Sequence, residues 1–285
     1  VPEYRNKFRV KENMSSIVFI GGGNMASCLI GGMIAQGVSS KEITVSEPKQ
    51  DNRDDLATRF GVCVTDNNKT AVIGAEIVVL AVKPQIMRRV SLDLASNLDS
   101  KTVVVSIAAG ISISALQTWL GQSIPIVRAM PNTPSLVLTG ATGLYSNQLT
   151  QQAQKDAVSN IFEAVGYSCW VDSERLIDSV IAVSGSGPAY FFRIIEIMTS
   201  IGQELGLSQE LAANLAKQTA LGAAQMASQS DLSPSQLREQ VTSPGGTTER
   251  ALATFQSEDL ESSFRRAMNS ACERSREMGR NFSDK

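Results

Sequence analysis

"SIVFIGGGNMASCLIGGMIAQG", residues 16–37, sets a short apolar run against a glycine-rich turn and then a helix-forming stretch. Ile17 to Ile20 are all β-branched or aromatic and read as a buried strand. Gly21-x-Gly23-x-x-Ala26 follows at once and opens a helix over 25–36, the context that makes this spacing informative. Gly21 permits the tight turn, Gly23 lets the backbone close on a pyrophosphate, and Ala26 allows the helix to pack closely on the sheet. The first turn of the helix, with Asn24 and Met25, adds free N–H groups at the positive end of the helix dipole. Gly21, Gly23, Asn24, Met25 and Ala26 are therefore expected to cradle a dinucleotide.

Similar apolar runs recur at 42–46, 75–82, 101–110 and 124–130, separated by helix-like segments. Continuous apolar strands alternating with helices indicate a parallel sheet buried on both faces, so this part reads as a Rossmann-type, doubly wound α/β domain. A helix candidate at 151–164 and one last strand-like piece at 167–172 follow, after which strands stop. The remainder reads as helices over 188–205, 209–229 and 234–241, a short one after Thr248, and one over 260–278. A chain of 285 residues exceeds the length at which one core usually stops growing. The expected division is a leader or expression remnant at 1–13, with Met14 as the start of the folded protein, a dinucleotide-binding domain at 14–174, and an all-helical substrate-binding and dimerisation domain at 175–285. The stretch 211–227 is rich in alanine, which lets helix axes approach closely and leaves an apolar surface that needs cover. A homodimer in which partner helices share one core is the expectation.

Composition excludes whole classes of chemistry. The chain has no histidine, which rules out Ser/His/Asp triads, histidine acid–base catalysis and His-ligated zinc. Its four cysteines, at 28, 63, 169 and 272, form no CxxC pair, so neither a metal site nor a disulfide framework is expected, and each is read as a buried, reduced thiol. A formal net charge of −2 gives no reason to expect nucleic acid. No uninterrupted apolar stretch reaches the length of a membrane span, and the chain reads as cytoplasmic, without a membrane partner.

Further candidates lie at the carboxyl ends of the strands, where doubly wound sheets bind ligands. Glu47 follows the second strand 21 positions after Ala26 (47 − 26), where an acid accepts from a ribose 2′-OH and favours NADH. Ser46, Asn52 and Arg53 lie close by and could instead hold the 2′-phosphate of NADPH, so the choice between the two cofactors stays open. Small residues at Ala81, Ala108 and Ala109 leave room for a flat ring. A second cradle is expected in "VTSPGGTTERALATF", 241–255: Gly245 and Gly246 expose N–H groups, Thr247 or Thr248 caps a helix beginning near Glu249, and Ser243 adds a hydroxyl, a nest suited to a carboxylate.

The motifs "FIGGGNMA", "LAVKPQ", "VVSIAAG", "RAMPNTP", "VSGSGPAYFF" and "LREQVTSPGGTTERALATF", in this order between Ser16 and Met278, resemble the pyrroline-5-carboxylate reductase family. The resemblance implies reduction of 1-pyrroline-5-carboxylate to L-proline with NADPH or NADH. It places the Thr248 hydroxyl on the ring nitrogen as the catalytic contact, and Ser243 with the backbone of Gly246 and Thr247 around the substrate carboxylate; Gly245 belongs to the same nest by its own N–H group. It also puts Asn68 and Lys83 near the adenosine and phosphates and Ala109 near the nicotinamide, and implies a dimer that in some members assembles further into a decamer. Glu47 departs from members that carry a small hydroxyl residue there. Related hydroxy-acid dehydrogenases place a lysine on the helix that here reads "PAYFFRIIEIM" and has none; they, and a non-catalytic dinucleotide-sensing dimer, are the alternatives.

Overall fold

The computed structural model describes residues 16–283, so the expectations for 1–13 and Met14 lie outside the described residues. Eight strands form one sheet in the order β3-β2-β1-β4-β5-β6-β7-β8. They are β1 Ile17–Ile20, β2 Ile43–Ser46, β3 Cys63–Thr65, β4 Ile77–Leu80, β5 Val103–Ser106, β6 Ile126–Met130, β7 Gly140–Ser146 and β8 Gly166–Trp170. Pairing is parallel throughout except between β6 and β7. The helices are α1 Asn24–Ala35, α2 Gln50–Phe60, α3 Asn68–Ala71, α4 Pro84–Leu94, α5 Ile113–Leu120, α6 Gln152–Glu163, α7 Leu176–Val180, α8 Gly187–Glu204, α9 Gln209–Gln229, α10 Pro234–Gln240, α11 Thr247–Ser257 and α12 Leu260–Ser283. The doubly wound expectation holds.

Successive side chains of a strand point to opposite faces, so a strand apolar at every position needs a core on each side. Ile17 and Phe19 of β1 pack with Leu29, Ile30 and Met33 of α1 and Phe162 of α6. Val18 and Ile20 pack on the other side with Met87 and Leu94 of α4 and Leu116 of α5. Two strands escaped the sequence reading. β3 is a three-residue edge strand without a fully buried residue. β7 reads "GATGLYS", which resembles a loop. Its first glycine is demanded by packing: a Cβ on Gly140 would run into the Ser135 hydroxyl and stand 3.0 Å from the Ser135 Cα.

By packing, the chain forms two compact units. Gly187–Ser270 make up one, and 16–186 with 271–283 the other, which contains the sheet. Within the first, α8 and α9 pack together, Gly202 lying against Ala212. Its buried hydrophobic residues are only Ala212 and Ala216, while Phe191, Phe192 and Leu205 are 64%, 65% and 81% exposed. A helical unit with this much uncovered apolar surface does not complete a core by itself, which is the physical reason to expect a second chain against it. One stretch, Leu176–Glu204, is long and apolar enough by length and composition to cross a membrane. A π-helical turn at Ile181–Gly185 interrupts it, and Arg193 and Glu196 form an exposed ion pair of 2.8 Å along it.

The cysteine expectation needs correction. All four are free thiols, but Cys63 on the edge strand is exposed and the other three are only half-buried. Burial raises the Cys28 thiol above its usual range.

Candidate dinucleotide and substrate site

The chain leaves β1 and turns at Gly21, whose φ of +99° disfavours any side chain. The Gly21 N–H donates to the Ser46 carbonyl at 2.8 Å, and a Cβ here would stand 2.8 Å from the Ala81 carbonyl oxygen. Gly21 is therefore wedged between the ends of β2 and β4. Gly23 differs: it is the N-cap of α1 with an ordinary φ of −72°, and a Cβ there would meet nothing within 4 Å. The fold does not require glycine at this position, and the open space beside the backbone is what close approach by a diphosphate needs. The Ser27 N–H to Gly23 carbonyl bond (2.9 Å) is the first of the helix, so the N–H groups of Asn24, Met25 and Ala26 have no helical acceptor. Those three donors fit a dinucleotide diphosphate. The Ala26 side chain is buried in the core and serves packing, as expected.

Ser46, Glu47 and Asn68 gather at the end of β2. Ser46 Oγ donates to Asn68 Oδ1 at 2.7 Å. Glu47 is 8% exposed, and its carboxylate accepts from the N–H groups of Gly22 (3.0 Å) and Lys49 (3.2 Å) and from Asn52 Nδ2 (3.4 Å). It is thus turned toward the glycine turn and held there. Arg53 reaches back with Nη1 to the carbonyls of Glu47 (2.7 Å) and Pro48 (2.9 Å). An acid and a guanidinium flank the same short loop.

Lys83 is the exposed N-cap of α4, followed by Pro84 in the first turn. Ala109 is half-buried in the loop after β5, whereas Ala108 is buried in the second core, so its small size serves packing rather than a ring site. Among the described residues, no hydrogen bond links Lys83 or Ala109 to the glycine turn. An unanticipated tie lies in the "RAMPNTP" loop: Asn132 Nδ2 donates to the Ser184 carbonyl at 2.9 Å and its Oδ1 accepts from the Ala141 N–H at 2.8 Å. Ser184 belongs to the π-helical turn, where a carbonyl outside the α-helical ladder needs another donor.

In the helical unit, Ser243, Gly245, Gly246, Thr247 and Thr248 form one continuous loop and helix start. Helix α11 begins at Thr247 with Gly246 as its N-cap, earlier than the start near Glu249 expected from sequence, and no side chain caps it. Gly245 has φ +72° and its N–H donates to Glu249 Oε2 at 2.8 Å, while the Gly246 N–H donates to the Ser243 carbonyl at 2.9 Å. The two glycine donors are thus used inside the loop. The first helical bond runs from Arg250 N–H to the Gly246 carbonyl, leaving the N–H groups of Thr247, Thr248 and Glu249 for an anion. The Thr248 hydroxyl makes no hydrogen bond among the described residues. Glu249 was missed as a loop-setting residue, although Gly246-x-x-Glu249 has the N-cap to N3 spacing of a capping box.

A doubly wound sheet with this turn, and an acid at the end of its second strand, defines a dinucleotide-binding domain of the class that NAD(P)-dependent oxidoreductases carry. Residues 16–110 match the family described as NADP oxidoreductase, coenzyme F420-dependent, and residues 174–278 match pyrroline-5-carboxylate reductase dimerisation. The pyrroline-5-carboxylate reductase of Pseudomonas aeruginosa is 50% identical over 262 residues, 92% of this chain and 96% of that protein. A solved structure of the Coxiella burnetii reductase superposes with a TM-score of 0.91 at 43% identity, covering 93% and 99% of the two chains. That of Plasmodium falciparum, with NADP bound, gives 0.81 at 31% identity, covering 93% and 98%. The chain belongs to the pyrroline-5-carboxylate reductase family. It acts on a small-molecule substrate and forms oligomers.

Proposed function

We propose that this chain reduces 1-pyrroline-5-carboxylate to L-proline, the last step of proline biosynthesis, as a cytoplasmic homodimer able to assemble further into a decamer. Functionally we divide it into 14–174, which holds the cofactor, and 175–285, which holds the substrate and the dimer interface. Neither nucleic acid nor a membrane is part of this reading. The observation that carries it is the loop and helix start at 243–249: three first-turn N–H groups without a helical acceptor beside one uncommitted hydroxyl, a fit for a carboxylate next to a ring nitrogen.

A bound nicotinamide dinucleotide supplies the hydride. Asn24, Met25 and Ala26 hold its diphosphate through backbone N–H groups, and Asn68 and Lys83 hold its adenosine end; Ala81 and Ala109 leave room for its rings. The Thr247 and Thr248 N–H groups, with Ser243, fix the substrate carboxylate. Thr248 then directs its hydroxyl to the ring nitrogen and holds the proton there as that nitrogen becomes an amine. Cyclic imines take a proton from water near neutral pH, so orientation suffices, and a chain without histidine is suited to the work. The test is loss of NAD(P)H absorbance on adding 1-pyrroline-5-carboxylate. Turnover of a hydroxy acid instead, or cofactor binding without any turnover, would overturn the reading.

Glu47 sets the balance between the two cofactors. Its carboxylate is pinned at the glycine turn, so it cannot swing away from a 2′-phosphate, and Arg53 offsets only part of that repulsion. Glu47→Gln keeps the shape and removes the charge; the NADPH to NADH ratio of kcat/KM is expected to rise about ten-fold, the scale of one partly screened charge pair. An unaltered ratio would show that Glu47 does not read the ribose.

A further inference from the structure

A cleft of about 370 Å³ opens on the sheet-containing unit, lined by Arg128, Glu174, Arg175, Asp178, Arg276 and Arg280 together with Gly110 and small neighbours. Four guanidinium groups face two carboxylates, a local charge of +2 (4 − 2), in a chain whose net charge is −2. Both acids already have donors. Glu174 Oε1 accepts from the Ile113 N–H at 2.8 Å and from Arg128 Nη1 at 3.2 Å. Asp178 Oδ1 accepts from Ser275 Oγ at 2.6 Å, and its Oδ2 lies 3.8 Å from Arg276 Nε. Arg175 and Arg280 have no acidic partner among the described residues.

Arg128 is the unusual member. It lies on β6 and is 6% exposed, yet its guanidinium, with five N–H donors, makes only the Glu174 bond among the described residues. Among the described residues, the buried polar side-chain atoms without a partner are Ser91 Oγ, Ser135 Oγ and Thr142 Oγ1, so the remaining donors of Arg128 open onto the cleft instead of being sealed in protein. A buried guanidinium aimed into a cationic cleft calls for an oxyanion.

We propose that this cleft binds the phosphate group of a small molecule. Arg128 is the buried anchor, and Arg175, Arg276 and Arg280 close on the outer oxygens. A surplus of two positive charges matches a phosphate dianion better than a single carboxylate, and guanidinium forks suit phosphate geometry. The volume exceeds that of one phosphate and leaves room for a small organic body. Gly110, φ +76°, lines the cleft and directly follows Ala109, so occupancy is expected to alter the KM for NAD(P)H; that consequence rests on the proposed placing of Ala109 at the nicotinamide.

Binding is tested apart from turnover, by calorimetric titration of the full chain with inorganic phosphate and with AMP, at constant ionic strength in chloride. Saturable binding is expected for both probes if the phosphate alone is recognised, or tighter for AMP if a nucleotide body fills the remainder. Arg175→Gln combined with Arg280→Gln changes only exposed side chains and is expected to weaken binding at least about ten-fold. Gly23→Ala, at the dinucleotide turn, is expected to remove any heat that comes from the cofactor site and to leave the arginine-dependent component unchanged. The proposal fails if neither probe shows saturable heat in the millimolar range, or if Gly23→Ala abolishes binding while the arginine double variant retains it.

Discussion

Thr248→Ala is expected to lower kcat by roughly one to three orders of magnitude, the span seen when one positioned hydrogen-bond donor is lost from a reacting centre. The residue occupies the first turn of α11, and its backbone N–H is among those without a helical acceptor. Alanine keeps that N–H, so carboxylate binding and hence KM change little, while the hydroxyl at the ring nitrogen disappears. The loss belongs to kcat because the bond strengthens as the nitrogen gains basicity during reduction. Stability is expected to hold, since the hydroxyl has no partner among the described residues whose loss would be felt. Steady-state kinetics with a melting curve decide it: unchanged kcat removes Thr248 from the mechanism, and a collapse of the melting transition would make the hydroxyl structural.

Gly23→Ala is expected to weaken NAD(P)H binding by roughly one to two orders of magnitude, the cost of forcing an extra methyl into a filled contact. Folding should survive, because the Cβ meets no protein atom within 4 Å and φ is −72°. An N-cap glycine to alanine change costs about 1 kcal/mol at most, a few degrees in a chain of this size. Gly21→Ala in the same turn partitions oppositely: its Cβ would meet the Ala81 carbonyl at 2.8 Å with φ at +99°, so it destabilises the folded unit itself. Fluorescence titration of NADPH alongside thermal melts separates the two. Equal cofactor affinity in Gly23→Ala and the unaltered chain would mean the diphosphate does not lie against this backbone.

Much of this site is written in local sequence. Gly21, Gly23 and Ala26 announce themselves because a strand, a turn and a helix follow one another within ten residues (17–26), and short-range sterics alone assign each its part. The 243–248 loop is legible for the same reason. Its detail was not: the Gly245 and Gly246 N–H groups are consumed by Glu249 and Ser243, which shifts the open donors to Thr247 and Thr248, and the helix begins earlier than the threonines alone imply.

Local pattern was enough for the doubly wound class, the dinucleotide turn and the switch from alternating strands and helices to helices alone, because each rests on periodicity or on the dihedral limits of single residues, and composition alone excluded histidine chemistry. Tertiary structure alone decided that the "GATGLYS" stretch is a strand, that Glu47 faces the glycine turn, that Asn132 holds the π-helical turn, and that Arg128 opens into a cationic cleft. The last three depend on partners 25, 52 and 46 positions away in the chain. Such contacts exist only after the backbone has closed on itself, and no local pattern encodes them.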